Sequence, residues 1–286
     1  MSVKILTDST SYIDEKLRKE LGIQIIPLYV SFKDESIKET EMSNKEFYER
    51  MEKGGIPLTS QPSLGELYDI MVETVSKGDE LLAVFLSSDM SGTYHSACGV
   101  RDRVLGEYKD AKIQIIDARS NSMQLGFAAI VAARAGKDGK SIDEIVEIVK
   151  HNIKRSRFVF IPDNLEYLKK GGRIGGGAAL IGNLLKIIPI LTVKHGKTSI
   201  LKKVRTKAKA INEMINQVLE DELKYSIKEI IVHHINCYDQ AKELTKRLKA
   251  QLDHKIDIVD IGPVIGVHVG PGAIGIAYYT EDEIEN

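Results

Sequence analysis

Residues 262–272 read Gly-Pro-Val-Ile-Gly-Val-His-Val-Gly-Pro-Gly, four glycines and two prolines around one histidine, His268. Glycine admits conformations and close approaches that a Cβ forbids, and proline fixes φ. Such a segment holds its backbone tightly, and His268 is its one titratable side chain. Two readings stand. In one, a rigid loop, with Gly266, Gly270 and Gly272 fixing the ring, presents the imidazole to a polar ligand. In the other, a Gly-rich connection between strands surrounds a buried, hydrogen-bonded histidine.

The rest of the chain sets the context. Its 286 residues exceed the usual size of one core, so two domains are expected. Residues 1–156 alternate strands with helices. The strands are Val3–Leu6, Ile23–Val30, Glu80–Leu86 and Ile113–Asp117. The helices are Ile13–Leu21, Phe47–Lys53, Leu64–Ser76, Gly92–Leu105, Ser122–Ala135 and one from Ser141 to about Lys154. The nearly unbroken apolar run at 80–86 fits a parallel sheet covered on both faces. This alternation predicts a doubly wound, mainly parallel α/β domain. Residues 157–286 follow a different pattern. Strands at 158–161, 188–194, 198–205, 229–235, 255–261 and 273–279 mix with helices at 165–170, 178–187, 207–219 and 239–251, and His195-Gly196-Lys197 reads as a hairpin turn. This predicts an α+β domain with a mixed sheet. The acidic tail 281–286 reads as a frayed, solvated end.

Charge excludes some partners. Lys and Arg number 40 and Asp and Glu 41, a net charge of −1, so no general attraction to nucleic acid is expected. The basic stretch Lys202–Lys209 lacks the aromatic interleaving of a nucleic-acid surface. No apolar run approaches the roughly 18 residues of a membrane span. The first residues lack the apolar core of a signal peptide and read as a strand. Two distant cysteines, Cys98 and Cys237, point to reduced thiols in a cytoplasmic protein, with neither a disulfide framework nor metal-type spacing.

Further segments bear hydroxyls or charge in suggestive places. Thr59-Ser60-Gln61-Pro62-Ser63 precedes an amphipathic helix: Ser63 reads as its N-cap, and Thr59 or Ser60 as a ligand donor. Ser87-Ser88-Asp89-Met90-Ser91-Gly92-Thr93 follows the most apolar strand, where ligands of open α/β sheets bind. The Ser91 hydroxyl and the amides of Gly92 and Thr93 would favour an anion there, or serve as a helix cap. Asp8, just past the first strand, is placed to order neighbouring loops. Arg173 lies among glycines at 171–177, suited to a carboxylate or to a bare surface. Those glycines lack the Gly-Lys-Ser/Thr ending of a phosphate loop. His233 and His234 close a strand, and one of them should be buried and bonded.

Taken in order, six segments resemble the DegV family of bacterial fatty-acid-binding proteins: 7–10, 59–63, 87–94, 117–120, 165–174 and 262–272. The resemblance spans nearly the whole chain. It implies two α/β domains that bury a long acyl chain. It implies that the hydroxyls of Thr59 and Ser91 and the imidazole of His268 hold the carboxylate, beside the candidate contacts Ser60, Gly92, Thr93 and Gly266, and that Arg173 lies near the carboxylate or a partner-docking face. It further implies that the protein is no enzyme by itself. It would be the acyl-binding subunit of a fatty acid kinase, whose separate ATP-binding subunit converts the carboxylate to an acyl phosphate. No cofactor, metal or catalytic residue is implied, only the fatty acid as ligand. Asp89-Met90, Gln124 and Val267 depart from the more usual residues of the family, and none removes a proposed carboxylate contact.

The energetics are consistent with such a ligand. About 14 methylenes at roughly 0.8 kcal/mol each offer on the order of 11 kcal/mol before association costs. The apolar runs 25–30, 81–86, 178–191 and 274–277 are candidate tunnel walls, though any α/β core needs them too. An alternative is a serine-dependent lipid hydrolase or acyltransferase using Ser91 and His268. It lacks a Gly-x-Ser-x-Gly elbow and an evident orienting acid.

Overall fold

The computed structural model describes residues 2–33, 35–180 and 187–285. They form two compact units. The first comprises residues 1–41 and 58–153, the second 42–57 and 154–286. Residues 42–57 thus belong with the C-terminal half of the chain, which sequence position alone does not reveal.

The first half of the chain runs β1 (Val3–Asp8), α1 (Glu15–Leu21), β2 (Ile23–Ile26), β3 (Tyr29–Phe32), β4 (Glu35–Lys38), α2 (Asn44–Gly54, in the second unit) and β5 (Leu58–Ser60). It continues with α3 (Leu64–Ser76), β6 (Glu80–Phe85), α4 (Thr93–Glu107), β7 (Ile113–Asp117), α5 (Ser122–Lys137) and α6 (Ile142–Lys154). Four strands form a parallel sheet in the order β2-β1-β6-β7. Strand order reverses between β1 and β6, the position where open sheets leave a crevice beyond their carboxyl ends. Residues 81–85 of β6 are wholly buried because helices cover both faces. Leu67 and Met71 of α3 and Ala97, Val100 and Val104 of α4 pack on Leu6, Leu81, Ala83 and Phe85. Each such side chain contributes roughly 1.5–3 kcal/mol on burial. Helix α5 lies against β1 and is buried along most of its length.

Two local expectations change here. The run Ile23–Val30 is not one strand. It breaks at Pro27-Leu28, so β2 joins the parallel sheet and β3 joins a separate antiparallel sheet, β4-β3-β5. The Leu28 amide leaves the ladder and donates to Ser9 Oγ at 2.9 Å. Residues 58–60, expected as part of a loop, form the short strand β5. The helix at 64–76 and its Ser63 cap are as expected, with Ser63 Oγ accepting from the Glu66 amide.

The second unit contains β8 (Ser156–Ile161), α7 (Glu166–Lys170), β9 (Ile188–Lys194), β10 (Lys197–Val204), α8 (Lys207–Tyr225) and β11 (Ile227–His234). It ends with α9 (Tyr238–Lys249), β12 (Ile256–Asp260), α10 (Pro263–Val269) and β13 (Ile274–Thr280). The sheet is mixed, ordered β10-β9-β8-β13-β11-β12, with only β11 and β12 parallel. His195 and Gly196 both have positive φ in the β9–β10 turn, as a tight hairpin requires. One face packs on α8 and α9 through Val159, Ile190, Val232, Ile276, Met214 and Leu244.

Of the helix expected at 178–187, residues 181–186 lie outside the described residues; residues 175–180 form a 3-10 turn. Helix α8 continues to Tyr225, a turn and a half past the expected end. The tail is not frayed through residue 285. Ile284 is buried, the Glu281 amide donates to Tyr225 and Ser226 carbonyls, and Lys224 pairs with Glu285 at 2.7 Å.

Candidate functional site

In the first unit the polar loops gather at the carboxyl ends of β1, β6 and β7. Asp8 ends β1 and is fully buried. Its carboxylate accepts the Leu86 amide at 2.8 Å, the Thr10 amide at 2.9 Å and the Thr10 hydroxyl at 2.5 Å. It therefore ties the end of β1 to the end of β6 across the strand-order reversal, the loop-ordering role expected of it. Burial pushes its pKa up to about 6, against the lowering effect of those hydrogen bonds.

The loop from β6 into α4 carries Ser91, Gly92 and Thr93. Ser91 Oγ lies 2.9 Å from Thr93 Oγ1 and accepts the Thr93 amide at 3.3 Å. The Thr93 amide is thus taken by Ser91, so the expectation that it is free for an anion does not hold. Thr59 and Ser60 sit on β5, opposite Val30 and Tyr29. The next residue, Gln61, reaches α4: its Oε1 accepts the Ser96 hydroxyl at 2.9 Å and lies 3.0 Å from where a Cβ on Gly92 would stand. The 59–61 segment and the start of α4 are therefore neighbours within this unit. Gln61 carries that junction, and the sequence marks it only as one amide among several polar residues.

The second unit holds Gly266, His268 and Arg173. The segment 263–269 is a helix, not a loop. Pro263 occupies its first turn, where the missing N–H costs nothing. Gly266 faces Phe47 and Tyr48 of α2, and a Cβ there would overlap the Tyr48 hydroxyl. On the α7 side, a Cβ on Gly171 would overlap Nδ1 of His268. Arg173 is exposed and donates from Nη1 to the Gly171 carbonyl at 2.5 Å. Burial, and then the Arg173 charge, depress the His268 pKa to about 4, so the imidazole is neutral near pH 7. Arg173, Gly171 and His268 thus form one cluster. Neither Gly171 as a neighbour of His268 nor Tyr48 as a neighbour of Gly266 stands out in the sequence, because each is far from its partner along the chain.

A neutral imidazole beside a guanidinium suits an anion: it offers one N–H, and the anion would favour its protonation. His233 is the buried strand histidine expected, with Nδ1 at 3.0 Å from the Val259 carbonyl, and burial depresses its pKa to about 3. Among the described residues no group of three or more His, Cys, Asp or Glu is placed to hold a metal. No described helix is long and apolar enough to cross a membrane. Leu81, Ala83, Phe85, Ile274 and Ile276, expected among the tunnel walls, pack in the helix-covered cores of their units.

Comparison with known proteins gives one consistent answer. The family model described as "Uncharacterised protein, DegV family" matches residues 2–281. A DegV domain-containing protein of Clostridium acetobutylicum is 61% identical over 98% of this chain and 99% of its own. The crystal structure of DegV, a fatty acid binding protein from Bacillus subtilis, superposes with a TM-score of 0.86. It is 33% identical and covers 98% of this chain and 99% of that one. The structure of a stearic acid-binding protein from Eubacterium ventriosum gives a TM-score of 0.89 at 27% identity, covering 98% of each chain.

Proposed function

The chain belongs to the DegV family, and from that premise we propose that it binds a long-chain fatty acid and presents the carboxylate to a separate ATP-binding kinase subunit. The observation that carries the first step is the likeness, over almost the whole chain, to solved structures described as binding fatty acids. The carboxylate contacts proposed are Thr59, Ser60, Ser91, Gly92, Thr93, Gly266 and His268. Arg173 would contact the carboxylate or the partner.

The chemistry of the two clusters supports this reading. Hydroxyls at the start of α4 donate to an anion and gain from the helix dipole. His268 and Arg173 supply donors and positive charge from the other cluster. Positioning and charge stabilisation are what phosphoryl transfer asks of an acceptor's binding site. The protein would hold and orient the carboxylate oxygen that attacks the γ-phosphate, while the partner supplies ATP.

The hydrolase alternative gains no support from the first unit. Ser91 Oγ is engaged by Thr93, and among the described residues of that unit no histidine bonds to it.

Lipid extraction of the purified protein followed by mass spectrometry, with titration of delipidated protein by palmitate and stearate, tests the binding step. Stoichiometric fatty acid is expected. No bound lipid together with no titration would overturn the reading.

A further inference from the structure

Two loops of the first unit, 86–92 and 117–122, are stitched together by more bonds than their turns require. The Ser87 amide donates to the Ser120 carbonyl at 2.8 Å. Asp117 Oδ1 accepts the Ser88 amide at 3.2 Å and the Arg119 amide at 2.8 Å. The Arg119 guanidinium then spans the gap. Nη1 donates to Ser88 Oγ at 3.0 Å and to Asp117 Oδ2 at 3.1 Å, and Nη2 meets Asp89 Oδ2 at 2.5 Å.

Arg119 reaches these partners from a left-handed backbone, φ 53°, and Ser122 three residues on has the same φ. A non-glycine residue held there costs free energy and persists only when its surroundings demand it. Here the demand is the bridge to residues 88 and 89. The bridged loop turns back on itself through the Ser91 amide and Ser87 carbonyl, 3.0 Å apart, and delivers Ser91 Oγ to the start of the 15-residue helix α4.

We propose that Arg119 is a positioning residue for carboxylate binding: it fixes residues 87–91 so that Ser91 and the α4 N-terminus face the ligand's carboxylate. Resting on the fatty-acid reading above, this makes a distinction that reading does not. Losing Arg119 should cost recognition of the carboxylate and spare recognition of the acyl chain. Its guanidinium also offsets two carboxylates, Asp89 and Asp117, that would otherwise repel an anion nearby.

The experiment compares palmitate with 1-hexadecanol, which has the same chain and no carboxylate, on wild type and Arg119→Gln, with hydrogen exchange of residues 87–92 measured on the ligand-free proteins. The expected result is a tenfold or greater loss of palmitate affinity, hexadecanol affinity within about twofold, and faster exchange at 87–92 with the sheet unchanged. Equal losses for both ligands, or none for palmitate, would overturn the proposal. The double variant Arg119→Gln/Asp89→Asn restores local charge without the bridge. It should stay weak for palmitate, and full recovery would reduce Arg119 to a charge effect. If wild type binds neither ligand, the fatty-acid reading fails, and the exchange data alone decide: unchanged protection at 87–92 in the variant would sink the positioning role.

Discussion

Gly171 stands where any side chain would displace the His268 ring. A Cβ at 171 overlaps imidazole Nδ1, so the turn after α7 and the helix carrying His268 are fitted to each other at one point. The glycine is needed for this space, since its own φ of −75° suits any residue.

Gly171→Ala should therefore move the ring while leaving the backbone course intact. Overpacking of this kind typically costs about 1–3 kcal/mol. The expected outcome is a modest fall in the urea midpoint with a larger loss of palmitate affinity, measured on the same preparation. A fall in stability with unchanged palmitate binding would place His268 outside the ligand site.

The opposite side of the same helix gives an independent prediction. Gly266 abuts the Tyr48 hydroxyl, so Gly266→Ala should destabilise by about 1–3 kcal/mol. Removing the struck atom with Tyr48→Phe should recover part of that loss. A double-mutant cycle on urea midpoints reads the coupling, and strict additivity of the two changes would show that the contact is relaxed elsewhere.

Much of this architecture was legible in the sequence. Helix 64–76 and strands 113–117 and 188–194 fall where periodicity and caps put them. What was hidden has physical causes. An apolar run such as 23–30 reports burial, not which sheet receives it, and the proline that splits it is one residue. The strands 35–38 and 58–60 are too short to show alternation. Residues 263–269 hold four β-branched residues and a glycine among seven, so propensity argues against the helix they form. Tertiary packing against Tyr48 and the α7 turn overrides it. Ile284 anchors an otherwise acidic tail that composition alone reads as solvated. At the candidate site, the hydroxyl loops and His268 were visible as motifs. Gln61, Tyr48 and Gly171 were not, because their roles depend on neighbours distant in sequence.

The histidine pKa values set a direction for acid sensitivity. His233 titrates near 3 when folded and near 6.5 when unfolded, so between those values the unfolded chain binds the extra proton. Stability is lost as pH falls below about 6.5, on the order of 5 kcal/mol at full development for His233. His268 adds to the loss down to about pH 4. Asp8 acts oppositely: its raised value means the folded state takes up a proton first, regaining stability as pH falls from 6 toward 3.8. Urea midpoints between pH 7 and pH 4.5 should fall, and His233→Asn, whose amide reaches the Val259 carbonyl much as Nδ1 does, should flatten the decline. An identical decline in the variant would remove His233 as its source.

His268 itself separates binding from turnover. The acyl chain supplies most of the affinity, roughly 0.8 kcal/mol for each buried methylene, and a single histidine contact supplies little of that. A charge-assisted bond to a carboxylate contributes on the order of 1.5–3 kcal/mol. His268→Ala should thus weaken palmitate binding by about tenfold to a hundredfold and leave it measurable. Acyl phosphate formation with a cognate kinase subunit depends on the orientation of the carboxylate oxygen, and loss of a positioning contact lowers the rate even when the site is full. At saturating palmitate and kinase the variant should make acyl phosphate at least a hundredfold more slowly. The neutral state of the ring near pH 7 sharpens the test, because a bound anion would raise its pKa and draw in a proton. Wild-type palmitate affinity should accordingly rise as pH drops from 8 to 6, and His268→Ala should lose that slope. A variant that keeps both the slope and the full rate would make His268 a packing residue of α10.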